Sequence, residues 1–207
     1  MDMTLTIGTP VYDDFPGAWF TLQSLRLSHP EVELLVIDNK GDDRLEKWMR
    51  YWVKEARYVR ATSPVGSAYP KDRVFREASG DWVICVDSHV LLVPGAVDNF
   101  IAWTLMNPDC DSLLHGPMLY DNLTCCTTHM TPVWRGQMFG TWAELEEVSK
   151  LPASPFEIPM HGCGLIACRR DAWLGFNPAF IGFGGEEGYI HEKYRKAGRK
   201  VLCLPFL

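Results

Sequence analysis

The chain has 207 residues, of which 47% are hydrophobic and 22% charged, enough for one domain with a sizeable core. Its net charge of −6 argues against a broad nucleic-acid footprint, which needs clustered Lys and Arg, though a local basic groove stays open. No run approaches the roughly 18 apolar residues of a membrane span, and Met3–Ile7 reads as a strand, not as a secretory leader. The seven cysteines are an odd number, and only Cys163 and Cys168 stand near metal-ligand spacing. Buried thiols in a reducing cytosol are the expectation.

The first half alternates strand and helix patterns. Leu5–Ile7 predicts a strand, and 16–27 a helix, with Trp19, Phe20, Leu22 and Leu25 at helical spacing. Val32–Ile37 predicts a strand ending in the turn cluster Asp38-Asn39-Lys40-Gly41. Asp42 or Asp43 can cap a helix running to about Val53. Tyr58–Val59 is a short strand, 63–67 a loop, 72–78 a helix, and Trp82–Val86 a strand. Such alternation with short links predicts a mostly parallel sheet flanked by helices. Ligands of such sheets bind beyond the carboxyl ends of the strands. Thr9-Pro10, Asp38, the Gly66 loop and Asp87 all fall at those ends.

The second half is less regular. A helix is expected from Pro94-Gly95 to about Met106, and a strand over 112–120 broken by Gly116-Pro117. Residues 121–160 are rich in Thr, Pro, Trp and Met and offer one helix, 142–150. Gly162-Cys163-Gly164 leads into a strand, and Phe183-Gly184-Gly185 into a helix of about 187–196. Val201–Leu204 is the last strand.

The tripeptide Asp87-Ser88-His89 closes the apolar run 82–86. On extended backbone, residues i and i+2 point the same way, so Asp87 and His89 can serve as paired ligands. Oxygen plus imidazole suits manganese or another borderline divalent ion better than calcium. Read alone, Asp87 is equally a strand-end turn residue and His89 a surface histidine. Glu186 and Glu187 form a candidate acid–base pair, or else two acidic residues at a helix N-terminus. Trp134, Trp142 and Trp173 could stack on sugars or fill the core.

In order and spacing these motifs resemble the GT-A glycosyltransferases, particularly the family-2-like enzymes and the polypeptide N-acetylgalactosaminyltransferases. Ile7-Gly8-Thr9-Pro10-Val11-Tyr12 resembles their opening strand and nucleobase-contacting turn. Val36-Ile37-Asp38-Asn39 resembles their second strand, whose Asp binds uracil or ribose. Asp87-Ser88-His89 stands at their Asp-x-Asp position in its Asp-x-His form. Gly162–Ala167 and Phe183-Gly184-Gly185-Glu186-Glu187 resemble the acceptor half. The likeness spans nearly the whole chain and is weakest from 121 to 160.

The resemblance implies one GT-A domain over 1–207, a Rossmann-like, mostly parallel α/β sheet flanked by helices. Residues 1–93 would form its nucleotide-binding half and 94–207 an irregular acceptor-side half. It implies a glycosyltransferase of hexosyltransferase type that uses a nucleoside-diphosphate sugar, with a UDP-sugar indicated by the Asp-x-His form and Asp38. Asp87 and His89 would hold Mn2+ or Mg2+. Thr9, Pro10, Tyr12, Asp38, Gly66, Lys71, Ser88, Gly164, Phe183, Gly184 and Gly185 would bind substrate. Glu187 would be the base of an inverting enzyme and Glu186 a sugar or acceptor ligand.

Two departures stand out. Lys71 replaces the usual Arg and lacks its bidentate fork. The family's third metal ligand, a His shortly after the last strand, would fall past Leu207, so either a longer chain supplies it or another residue serves, with His161 and His191 the candidates within this sequence. The acceptor stays open among glycan, protein, lipid and modified nucleic-acid base. A nucleotidyltransferase would need more acidic ligands and a basic triphosphate loop. A catalytically silent nucleotide-sugar or carbohydrate-binding module is the alternative.

Overall fold

The computed structural model describes residues 3–207. They form two compact units, one up to Leu91 plus Arg169–Phe183, the other Leu92–Cys168 plus Gly184–Leu207. The sequence divides the chain once, after 93. The structure returns a later segment, Arg169–Phe183, to the first unit.

The first unit is built on four parallel strands in the order β4-β1-β2-β3: β1 (Leu5–Val11), β2 (Glu33–Asp38), β3 (Arg57–Arg60) and β4 (Trp82–Val86). β1 and β4 are buried throughout, which is why they read as unbroken apolar runs without alternation. The crossovers are α1 (Phe15–Ser28), α2 (Asp43–Trp52) and α3 (Ala68–Glu77). Asp14 caps α1 by accepting the Gly17 N–H, and Asp42 caps α2 by accepting that of Arg44. α2 buries Leu45 and Met49 and leaves its charged side outside. Gly8 lets α3 lie on β1, because a Cβ there would stand 2.3 Å from a Val74 methyl.

The expected elements are present, with shifted bounds. β1 runs on to Val11, so Thr9 and Pro10 lie inside the strand, fully buried or nearly so. α3 begins at Ala68, not at 72, which places Lys71 and Asp72 within the helix. Asp72 then anchors the returning segment. It accepts the Trp173 indole N–H at 2.9 Å and the Phe176 amide at 3.2 Å, while Trp173 stacks on Phe75 with ring centroids 3.9 Å apart.

The second unit holds α4 (Ala96–Met106) and the strands β5 (Leu113–His115), β6 (Met118–Leu119), β7 (Cys125–Thr127), β8 (Met130–Arg135), β9 (Met138–Trp142), β10 (Glu146–Glu147), β11 (Phe156–Glu157) and β12 (Leu165–Arg169). α5 (Glu186–Lys196) and β13 (Val201–Cys203) complete it. β13 pairs in parallel with β5, and β12 pairs with β5 antiparallel. The helix expected over 142–150 does not form. Trp142 ends the β8–β9 hairpin, Glu146–Glu147 pair with Cys125–Cys126, and only Val148–Lys150 make a 3-10 turn. The strand expected over 112–120 is split into β5 and β6 at Gly116-Pro117. Among the described residues no helix is long and apolar enough to cross a membrane. All seven cysteines are free thiols.

Candidate functional site

At the carboxyl end of β4 the strand stops at Val86, and Asp87-Ser88-His89 form a turn closed by the Val90 N–H on the Asp87 carbonyl at 3.0 Å. The extended backbone expected for an i, i+2 pair is therefore absent. Lys71, a buried residue of α3, places its ammonium 2.5 Å from Asp87 Oδ1. The Ser88 hydroxyl is buried and donates to Asp14 Oδ2 at 2.7 Å. His89 is exposed, with Nδ1 3.7 Å from that same Asp14 oxygen. Thr21 of α1 donates its hydroxyl to the Ser88 carbonyl at 2.7 Å. Gly17 must stay bare, because a Cβ would come within 2.7 Å of that carbonyl. Burial works against the charge of Asp14, yet hydrogen bonds from Ser88 and Gly17 and the nearby His89 hold its carboxyl below the usual range.

Asp14 escaped the sequence reading. Its signal was present, as an Asp two residues before Pro16 is a capping pattern.

The end of β2 is built differently. Asp38 is fully buried. Its Oδ1 accepts the Lys40 and Gly41 amides at 3.0 and 2.7 Å, and its Oδ2 the Asp42 amide and the Tyr58 hydroxyl at 2.8 and 2.6 Å. Two oxygens offer about four lone-pair sites, so the chain itself fills this carboxylate. Asp38 thus shapes the turn after β2. Asn39 is buried too, donating to the Ala61 and Pro64 carbonyls and accepting the Gly66 amide at 3.2 Å. Tyr12, half exposed, lies at the same edge with the Lys40 ammonium 5.3 Å from its ring centre.

Gly66 bridges to Gly182. The Ser67 amide donates to the Gly182 carbonyl at 2.9 Å, and the Gly182 amide to Val65 at 3.0 Å. A Cβ on Gly66 would lie 2.7 Å from that carbonyl oxygen, so only glycine permits the approach. Phe183 is 89% exposed, neither in a core nor packed on neighbours.

In the second unit, Gly184 and Gly185 adopt positive φ of 99° and 87° and lead into α5. The helix opens with two carboxylates of different burial, Glu186 buried at 2% exposure and Glu187 intermediate. The N-terminal end of α5 favours negative charge at both. Gly164 sits in the turn before β12. Trp142 covers Gly162 and meets the His161 ring edge-on, whereas Trp134 is exposed at the hairpin tip. His161 and His191 are buried, and His191 contacts His115.

Among the described residues, no three His, Cys, Asp or Glu side chains converge to hold a metal by themselves. The donor set at the β4 turn is nonetheless carboxylate and imidazole, the chemistry that manganese or magnesium accepts. Oδ1 of Asp87 already faces a cation, the Lys71 ammonium. In chemistry, though not in number, Asp87 and His89 suit such a metal.

The mainly parallel sheet flanked by helices matches that of GT-A glycosyltransferases. The family profile described as glycosyl transferase family 2 matches residues 6–172, and the chain belongs to that family. No curated protein matches it. Among solved structures it is similar to the mannosyltransferase PcManGT from Pyrobaculum calidifontis in complex with GDP-Man and Mn2+, at 18% identity and a TM-score of 0.62, over 98% of this chain and 57% of that one. It is also similar to S. aureus TarS 1-349, at 14% identity and a TM-score of 0.61, over 98% of this chain and 58% of that one. The chain thus spans under three-fifths of either neighbour's length.

Proposed function

We infer that this chain transfers a sugar from a nucleoside-diphosphate sugar to an acceptor hydroxyl. The observation that carries this reading is the Lys71–Asp87 pair at the carboxyl end of β4, beside the Asp14–Ser88–His89 cluster. Such a strand end is where open α/β sheets bind ligands. A buried ammonium held on a partly exposed carboxylate is a ready counter-charge for a diphosphate.

Asp87 and His89 would hold Mn2+ or Mg2+, which when bound supplies Lewis acidity toward the leaving diphosphate. Lys71 adds fixed positive charge beside it. Ser88 and Asp14 hold the turn. Tyr12 offers an exposed ring for a nucleobase to stack on, and the Gly66 loop lets backbone approach the donor. Glu187, less buried than Glu186, accepts the acceptor's hydroxyl proton as nucleophilic attack proceeds. Glu186 hydrogen-bonds the sugar. We read the donor as a UDP-sugar and the enzyme as cytoplasmic, the latter in keeping with its free thiols.

Calorimetry on the 207-residue chain tests this, with UDP and GDP each titrated with and without manganese. Manganese-dependent binding of UDP over GDP, lost in Asp87→Ala, is the expected result. Binding unchanged by that substitution would remove the site from the donor pocket. Binding without transfer to any acceptor or to water would favour the silent module.

A further inference from the structure

Three histidines far apart in sequence meet inside the second unit. His115 on β5 and His191 on α5 are fully buried, and His161 is 4% exposed. The His115 ring lies 4.9 Å from that of His161 and 4.8 Å from that of His191, centre to centre. Each Nδ1 faces a backbone carbonyl. His115 faces Leu165 at 3.0 Å, His191 faces Glu187 at 2.5 Å, and His161 faces Gly162 at 3.0 Å. His191 Nε2 lies 3.1 Å from the His161 amide and 2.9 Å from His115 Nε2.

The protons can be counted. Burial pushes His191 down to about 3, His161 down to about 4 and His115 well below the ordinary range, so each ring carries one proton near neutral pH. A carbonyl only accepts, so the short contact with Glu187 puts the His191 proton on Nδ1. Its Nε2 is then a lone pair, and it accepts the His161 amide. Two facing lone pairs repel, whereas 2.9 Å is an ordinary N–H···N distance. His115 has one proton for two acceptors, the Leu165 carbonyl at 3.0 Å from Nδ1 and His191 Nε2 at 2.9 Å from its own Nε2, and we assign it to Nε2. His115 Nδ1 then meets the Leu165 carbonyl at 3.0 Å without a proton, the loss that this tautomer carries.

We propose that His115 is a positioning residue for the first turn of α5: its Nε2–H holds His191, and His191 holds the Glu187 carbonyl, fixing where Glu186 and Glu187 stand. The proposal rests on the reading of Glu187 as base. It links two of the three buried rings through one hydrogen bond, with His161 joining through its backbone amide while its own Nε2 has no partner. It also gives His161 and His191 a place other than the metal.

The test has two arms on the 207-residue chain. In the first, 15N NMR of histidine-labelled wild-type protein should show His115 protonated at Nε2, with a coupling across the N–H···N bond to His191 Nε2. A His115 proton on Nδ1, or no coupling, overturns the proposal without any variant. In the second, His115→Leu should speed amide exchange at the start of α5 and lower kcat at least tenfold with donor KM unchanged. His115→Gln, which keeps an N–H near the Nε2 position, should restore both. Equal behaviour of the Leu and Gln variants would also overturn it. Normal turnover in Glu187→Gln would remove Glu187 as base while leaving the coupling and the exchange contrast intact, so the two failures are distinguishable.

Discussion

An aspartate closes β2 and another directly follows β4, and the two carboxylates have opposite surroundings. Asp38 is sealed off and takes four hydrogen bonds from its own chain, three of them from the amides of the next turn. Asp87 keeps a quarter of its side chain exposed and holds the ammonium of Lys71. What separates a structural strand-end carboxylate from one open to a ligand is how many of its lone pairs the backbone has already claimed. The turn after β2 folds its amides back under Asp38. The turn after β4 instead sends Ser88 to Asp14 and leaves the Asp87 carboxylate partly exposed against the Lys71 ammonium.

The sharpest way to break this contrast is to neutralise Asp87. Asp87→Asn should lower transfer by about a thousandfold, the scale of removing one electrostatic contributor to a transition state. The measurement is kcat under saturating donor. Near-normal turnover would put Asp87 in the same structural class as Asp38.

Asp38→Ala should do the reverse. It strands three amides and the Tyr58 hydroxyl in a buried turn, so we expect a stability loss of about 3 kcal/mol or more. The remaining folded protein should bind the nucleotide with unchanged affinity. A denaturant midpoint together with a nucleotide titration reads both. Loss of nucleotide affinity in a fully folded variant would return Asp38 to the donor site.

The same contrast marks how much the sequence could disclose. The apolar runs of β1, β2 and β4 and the capped, amphipathic α2 were legible because each is specified locally, by period and by cap. The saturation of Asp38 was not legible, since Tyr58 reaches it from the neighbouring strand. Residues 142–150 carry good helix formers, yet Glu146 and Glu147 are claimed by strand pairing with Cys125 and Cys126. Tertiary pairing there overrides propensity. His115 and His191 are 76 positions apart, and no pattern in the chain joins them.

Acid should act on the second unit before the first. Histidines with lowered native pKa bind more protons unfolded than folded, so their stabilisation is whole above the unfolded value of about 6.5 and fades as pH falls toward about 3 to 4. Each costs about 1.4 kcal/mol per pH unit inside that window. Glu33 behaves as a depressed carboxylate. Burial opposes its charge, but bonds from Arg57, Thr6 and Ser79 bring it down to about 2. Its stabilisation is therefore whole above about 4.5 and lost only as pH falls toward 2. Hydrogen exchange followed from pH 7 to 4 should show α5 amides losing protection ahead of β1 and β2. Simultaneous loss would mean that the two units open as one.

The smallest expected effect on stability is the most informative about function. Phe183 stands 89% exposed between glycines of positive φ, where a large aromatic ring gains almost nothing from burial. Phe183→Ala should therefore change unfolding free energy by less than about 0.5 kcal/mol, the ordinary range for a surface site. If the ring meets a sugar or acceptor, the same substitution should raise KM severalfold while the melting temperature holds. A stability-neutral rise in KM is something that no core residue can give, because truncating a buried aromatic costs about 3–5 kcal/mol. A variant unchanged in both respects would remove Phe183 from the substrate-binding set and leave the Gly66–Gly182 bridge as the structural contribution of its segment.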